Sequence, residues 1–305
     1  MARNSQLKRA LWHDYRSSCR YMITLSRRRD FPPLSVIEGD PQLPAGTRGS
    51  CRTRWSHTGK KIADLIYNMS AIHPALRADQ YVVMPDHVHI LLWVQSPLPE
   101  HLGFYIARFK NAVNLAAGEN HVFEDGFNNQ IVTSKRDLNT LFAYIRDNPR
   151  RLAVRRACPD FFNRRDSVNI AGHACMVYGN IHLLDNPFKE QVVVHRADSP
   201  EVLSRNKETW LYTAANGGVL VSPFISQAEK AIRNEAEATG GKIILVTHEA
   251  FPDRYKPAAH DFELCTQGRL LIISLGYPSC TPLARDTCLS MNNLAHTIAA
   301  TFKSE

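Results

Sequence analysis

The chain contains no C-x-x-C pair, and its seven cysteines (19, 51, 158, 175, 265, 280 and 288) are odd in number and scattered. That pattern argues against both a disulfide framework and a zinc knuckle. No apolar run reaches the length of a membrane span, so no membrane partner is expected. The basic opening stretch MARNSQLKRALWHDY has no apolar h-region, and no secretion signal is read there. These absences together favour a reducing cytoplasm. Neither an internal repeat nor a low-complexity tract is present, and 305 residues suffice for two domains with full cores.

What is present is an uneven charge. The formal total is +8, but Lys and Arg outnumber Asp and Glu by 25 to 15 in residues 1–166 and fall short by 12 to 14 in the remainder. A basic half joined to a near-neutral one indicates that the first half meets a polyanion. The basic residues cluster in SRRRD (Arg27, Arg28, Arg29), CRTRW (Arg52, Arg54) and PRRLAVRR (Arg150, Arg151, Arg155, Arg156). Arginine's planar fork of donors suits phosphate, so these nine are the candidate polyanion contacts. A solvated surface with incidental arginine runs is the plainer alternative.

Hydrophobic periodicity places the elements. CRYMITLS alternates Tyr21, Ile23 and Leu25 as a first strand, followed by a Pro/Gly-rich loop or short hairpin. Ile62, Leu65, Ile66 and Met69 form one helical face, and Leu102, Ile106, Phe109 and Val113 a second. YVVMPDHVHILLWV reads as two strand portions broken around Met84-Pro85-Asp86. SKRDLNTLFAYIRDNP predicts a third helix, with a capping-box pattern from Ser134 to Asp137 and a stop at Pro149. Strands interleaved with helices predict an α+β sandwich here. Beyond an irregular stretch at 166–210, apolar strands (GGVLVSPF, KIILVTHE, GRLLIISL) alternate with helices, which predicts a parallel Rossmann-like α/β sheet.

Two features carry chemistry. His87 and His89 are one residue apart in a strand, so they share a face and can hold one ion or phosphate between them. Tyr144 and Asn148 are four apart at the edge of the apolar face Leu138, Leu141, Phe142 and Ile145. Taken alone, each also fits a structural role: histidines satisfied by backbone carbonyls, and a Tyr/Asn pair in ordinary packing. Combined, two imidazoles and an amide oxygen suit Mn²⁺ or Mg²⁺, beside a tyrosine able to attack a phosphate the ion polarises.

MPDHVHILL followed by AYIRDNP resembles the single-tyrosine HUH transposases, in particular the REP-associated tyrosine transposases. The resemblance covers about residues 10–155 and includes the opening LWHDY…YMITLSRRRDF. It implies a ferredoxin-like α+β nuclease core, with His87, His89 and Asn148 as metal ligands and Tyr144 as nucleophile. It further implies a homodimer that nicks single-stranded DNA beside a hairpin and keeps the 5′ phosphate on tyrosine. EDGFNNQIV and RRLAVRR depart from the family pattern, which leaves the contacts there unassigned.

The second half resembles the Rossmann-like domain of the DNA-processing protein A family, over GGVLVSPFISQAEKAIRNEAEATGGKIILVTHEAFPDRYKPAAHDFELCTQGRLLIIS. The implied ligand is single-stranded DNA. Ser222, in the strand-to-helix turn, is the candidate anion contact, with Lys230 and Arg233 further along the helix. That turn, VSPFIS, lacks a glycine-rich phosphate loop, and a packing or partner-docking domain is the alternative. The expected organisation is a nuclease domain at 1–165, a connector at 166–210 and a Rossmann-like domain at 211–305. The expected function is a metal-dependent single-stranded DNA endonuclease and strand transferase. Its rival is a domesticated hairpin or single-strand binder that does not cut, with the second domain as a nucleotide or partner sensor.

Overall fold

Along β1 (Cys19–Ser26), Tyr21, Ile23 and Leu25 point to one side of a sheet and Met22 and Thr24 to the other, and both sides are covered. The computed structural model describes residues 10, 12–253 and 255–301. Most of the basic opening stretch, Leu11 and the Phe302 that ends the last helical pattern lie outside them. By their internal contacts the residues divide into two units, Met1–Val154 and Arg155–Glu305.

In the first unit β1 is followed by a hairpin of β2 (Ser35–Glu38) and β3 (Arg52–Trp55), then by α1 (His57–Tyr67). Next come β4 (Leu76–Val83), β5 (His87–Val94), α2 (Leu102–Ala117), β6 (Asn128–Val132) and α3 (Lys135–Ala157). Four strands form an antiparallel sheet in the order β4-β5-β1-β6. On one face Ile23, Leu25, Val88, Ile90 and Leu92 pack against Ile62 and Ile66 of α1 and Ile106, Phe109 and Val113 of α2. Each such fully buried side chain stabilises by ~1.5–3 kcal/mol. On the other face Met22, Val82, Met84 and Leu91 meet Leu141 and Ile145 of α3. The sheet therefore separates two cores, and α3 occupies its face alone among the three helices.

The expected stop at Pro149 is corrected: α3 runs on to Ala157 with the proline inside. A proline within a helix removes one hydrogen bond and costs ~3 kcal/mol. Burial of Ile145, Pro149 and Val154 on the same helix offsets that cost. Of the capping box, Ser134 Oγ accepts from the Asp137 N–H at 3.1 Å, while the Asp137 carboxylate turns to the Thr133 hydroxyl.

In the second unit a six-stranded sheet has the order β7-β8-β12-β11-β10-β9. Its elements are β7 (Arg164–Ile170), β8 (His173–Gly179), β9 (Lys189–Gln191), α4 (Pro200–Ala215), β10 (Val219–Ser222) and α5 (Gln227–Ala238). They continue with β11 (Lys242–Glu249), α6 (Ala259–Thr266), β12 (Leu270–Tyr277) and α7 (Arg285–Ala300). Strands β9 to β12 are parallel, as expected for β10, β11 and β12, whereas β8 joins β12 antiparallel and brings β7 with it, so the sheet as a whole is mixed. The parallel strands are adjacent in chain order, and crossovers of one hand place α4, α5 and α6 on a single face. The other face is covered by Met291, Leu294 and Ile298 of α7.

The expected connector at 166–210 is corrected as well, because this stretch supplies β7, β8, β9 and most of α4. β7 is too polar to show an apolar alternation, and α4 buries only Trp210 and Ala214, too few for a readable stripe. Ala171 and Gly172, both with positive φ, close the β7–β8 hairpin, a turn form that matches strand twist.

At the far end of the β2–β3 hairpin, Gly39 has φ +109° and faces the Ser50 carbonyl. A β-carbon there would overlap that carbonyl and occupy backbone space closed to L side chains. Gly39→Ala is therefore expected to destabilise the protein by ~2 kcal/mol or more in urea titration, and an unchanged midpoint would contradict it.

Candidate active site

The pleat of β5 turns His87 and His89 to the face that α3 covers, as their spacing predicts. Their rings lie 4.4 Å apart between centroids at 68°. Register sets them opposite Ser26 and Thr24 of β1. His89 is 5 % exposed, and its Nδ1 is 2.9 Å from Thr24 Oγ1. His87 Nδ1 is 2.7 Å from Asp86 Oδ1, while its Nε2 is buried with no hydrogen-bond partner. An ionised carboxylate only accepts, so the proton of a neutral His87 belongs on Nδ1 and its lone pair on Nε2. A carboxylate behind a histidine of this kind is the outer partner that metal-ligating histidines use.

The ring of Tyr144 lies 5.6 Å from that of His89, within the same chain. The nucleophile candidate and the histidine pair thus lie on one face of the same sheet. Asn148 follows one turn along α3, is 3 % exposed, and donates from Nδ2 to the Tyr144 carbonyl at 3.0 Å. With Nδ2 on the helix backbone, Oδ1 is the atom a cation would take. The Arg151 guanidinium stands 5.8 Å from the centre of the Tyr144 ring. Among the described residues no three His, Cys, Asp or Glu side chains converge as a metal cluster. An N, N, O donor set with His87 Nε2 buried and unsatisfied fits a divalent ion of the Mn²⁺ or Mg²⁺ kind.

The candidate DNA arginines divide by partner. Arg28 pairs with Asp30 at 2.6 Å, and Arg54 with Glu38. Arg150 and Arg151 are buried beside Asp147, at 2.7 and 3.9 Å, so neither presents an open phosphate fork. Arg27 donates to the carbonyls of Arg28 and Arg29 and stiffens its own turn. Arg29, Arg52 and Arg156 are exposed and Arg155 partly so. Asp86 directly precedes the H-x-H in the chain, but strand periodicity alone does not assign it the part of orienting His87. Thr24 had no sequence signal, because cross-strand register alone brings it to His89.

The anion site expected in the second unit does not form as read. Ser222 is fully buried, and its hydroxyl accepts from the Phe224 N–H at 2.9 Å. Ser226 caps α5, and the buried Glu229 carboxylate accepts from the N–H groups of Ser226 and Val194 at 2.9 and 3.2 Å. The helix N-terminus thus already holds a negative charge from its own chain. Arg233 is held between Glu237 and Asp261, at 2.6 Å from each. Lys230 remains exposed, beside a cavity of about 500 Å³ at the carboxyl ends of the parallel strands. Arg233→Met, which leaves the buried Glu237 with His260 as its remaining side-chain partner, is expected to cost ~1–3 kcal/mol of stability in chemical denaturation. A loss of DNA affinity with stability intact would restore the anion-site reading.

The first unit is an antiparallel α+β sheet carrying a histidine pair and a tyrosine on one face, and the second is an α/β layer structure. No family model matches the chain, and no curated protein matches it. Among solved structures it is similar to a REP-associated tyrosine transposase bound to a REP hairpin, at 15 % identity and TM-score 0.34. That match covers 47 % of this chain and 73 % of the other. DNA processing protein A from Helicobacter pylori, described for its single-stranded DNA binding mode, is similar at 18 % identity and TM-score 0.30, over 41 % of this chain. The protein of that name from Streptococcus pneumoniae is similar at 24 % and 0.30, also over 41 %. The chain spans 56 % and 43 % of those two proteins, about half their length. Likeness at this level transfers no activity. Among the described residues no helix is long and apolar enough to cross a membrane.

Proposed function

We propose that the first unit is a metal-dependent, single-tyrosine endonuclease and strand transferase acting on single-stranded DNA next to a hairpin. The observation that carries this reading is the placement of the Tyr144 ring 5.6 Å from His89, on the face where His87 and His89 stand 4.4 Å apart. The strand order β4-β5-β1-β6, with α1 and α2 across one face, supports a ferredoxin-like core beneath the site.

His87 Nε2, His89 Nε2 and Asn148 Oδ1 would hold Mg²⁺ or Mn²⁺. Such an ion polarises a phosphate oxygen and offsets the charge that develops on it during attack. Asp86 and Thr24 hold the two imidazole rings in orientation through their Nδ1 atoms. Tyr144 Oη attacks the scissile phosphorus and forms a P–O bond as the bond to the 3′ oxygen breaks. The phenolic proton passes to solvent, and the leaving 3′ oxygen takes up a proton as a free hydroxyl. The 5′ phosphate stays on tyrosine, which keeps the linkage available for rejoining to another 3′ hydroxyl. Packing of Leu141 and Ile145 against Met22 and Leu91 fixes α3 over the histidines and so fixes the approach of the tyrosine.

For the second unit we infer a role in engaging the strand rather than in chemistry, consistent with its cavity beside Lys230. The test of the whole reading is a covalent adduct. Wild-type protein with Mn²⁺ and a hairpin-bearing single strand should give a species stable to denaturation, with the 5′ phosphate on the peptide containing Tyr144. Persistent failure across a library of hairpin substrates, with DNA bound, would leave the protein a binder.

A further inference from the structure

Three arginines near the candidate site have no carboxylate partner among the described residues: Arg48, Arg52 and Arg146 are exposed. All three line one cavity of about 720 Å³, bounded by the β2–β3 hairpin, the edge strand β4 and α3. The acidic residue on its wall, Glu38, is already paired with Arg54, so the cavity is positive. Gln80 also lines it, and the Gln80 Oε1 is buried with no hydrogen-bond partner. A buried acceptor left in that state is unfavourable, and a ligand N–H would satisfy it once the Gln80 amide turns into the cavity. Val82, another wall residue, is the register partner of His89, and Arg146 follows Tyr144 by two positions. The cavity therefore adjoins the candidate active site.

We propose that this cavity seats one unpaired nucleotide of the DNA strand, with its phosphate on the arginines and a base N–H on Gln80 Oε1. Phosphate alone would use the arginines and leave Gln80 unsatisfied; a nucleotide whose base is not paired uses both. The volume lies in the range of small-molecule pockets, ~300–1,000 Å³. The substrate class rests on the endonuclease reading above; the cavity's own chemistry does not.

The test uses full-length protein in chelator, so that no strand is cut, and a labelled mixed-sequence 12-nucleotide single strand, with its duplex as a second probe. The Arg48→Ala/Arg52→Ala double variant should bind the single strand on the order of tenfold more weakly. Its salt slope should fall by about 1.4, at about 0.7 per phosphate charge neutralised. Gln80→Leu should weaken single-strand binding several-fold with the slope unchanged, and Arg16→Ala, paired with Asp14, should change neither. Wild-type affinity and slope in the double variant would overturn the assignment, as would an equal loss on duplex, which marks a general phosphate patch. If the cavity variants behave as stated but wild type forms no adduct with hairpin DNA, the endonuclease reading falls and the nucleotide cavity stands. If the adduct forms and the cavity variants bind normally, this inference alone falls.

Discussion

Tyr144→Phe is expected to bind hairpin-bearing single-stranded DNA with wild-type affinity and to form no denaturation-resistant adduct. The change removes one hydroxyl and keeps the ring that packs beside His89, so stability should shift by less than ~1 kcal/mol. Tyr105 and Tyr67 do not offer a substitute nucleophile. Tyr105 belongs to the core on the opposite face of the sheet, and Tyr67 ends α1, which packs on that same opposite face. The sheet itself stands between them and the histidine pair. The measurement is a denaturing gel of protein with labelled DNA, paired with an equilibrium binding assay on the same substrate. An adduct in the Phe variant would place the nucleophile elsewhere and end the site assignment.

His87→Ala and His89→Ala are each expected to lower nicking by about a thousandfold or more while much of the hairpin binding survives. Chelation of the wild type should reproduce the loss, and added Mn²⁺ or Mg²⁺ should reverse it. Asp86→Asn should act more mildly, weakening Mn²⁺ binding by ~10–100-fold, because it releases the Nδ1 side of His87 and leaves Nε2 in place. Titration calorimetry with Mn²⁺ alone separates this effect from turnover. Undiminished cleavage in metal-free buffer would return both histidines to a structural role.

Much of the fold was legible because its pattern is local. β1 shows a period of two, α2 carries Leu102, Ile106, Phe109 and Val113 at helical spacing, and all four are buried. The break at Met84-Pro85-Asp86 marks the turn between β4 and β5. Elements whose stability is supplied by neighbours were not legible. β7 is mostly polar and holds its place by pairing with β8, and β8 holds its own by pairing with β12, nearly a hundred residues on. α3 passes Pro149 because tertiary burial outweighs a local helix-breaking preference.

The same division runs through the site. Sequence by itself determined that His87 and His89 share a face, since strand geometry allows nothing else, and that Tyr144 and Asn148 lie one turn apart on a helix. It also determined the excess of arginine in the first half. Only the tertiary structure decided which charges remain open. Arg150 and Arg151 fold onto Asp147, Arg233 is locked between two carboxylates, and Glu229 fills the helix terminus expected to hold an anion. Arg48 and Arg52 of the β2–β3 hairpin and Arg146 of α3, nearly a hundred residues on, meet around one cavity. The physical reason is range: backbone periodicity acts over a few residues, whereas ion pairing and desolvation depend on which distant groups the packed sheet and helices bring within a few ångströms.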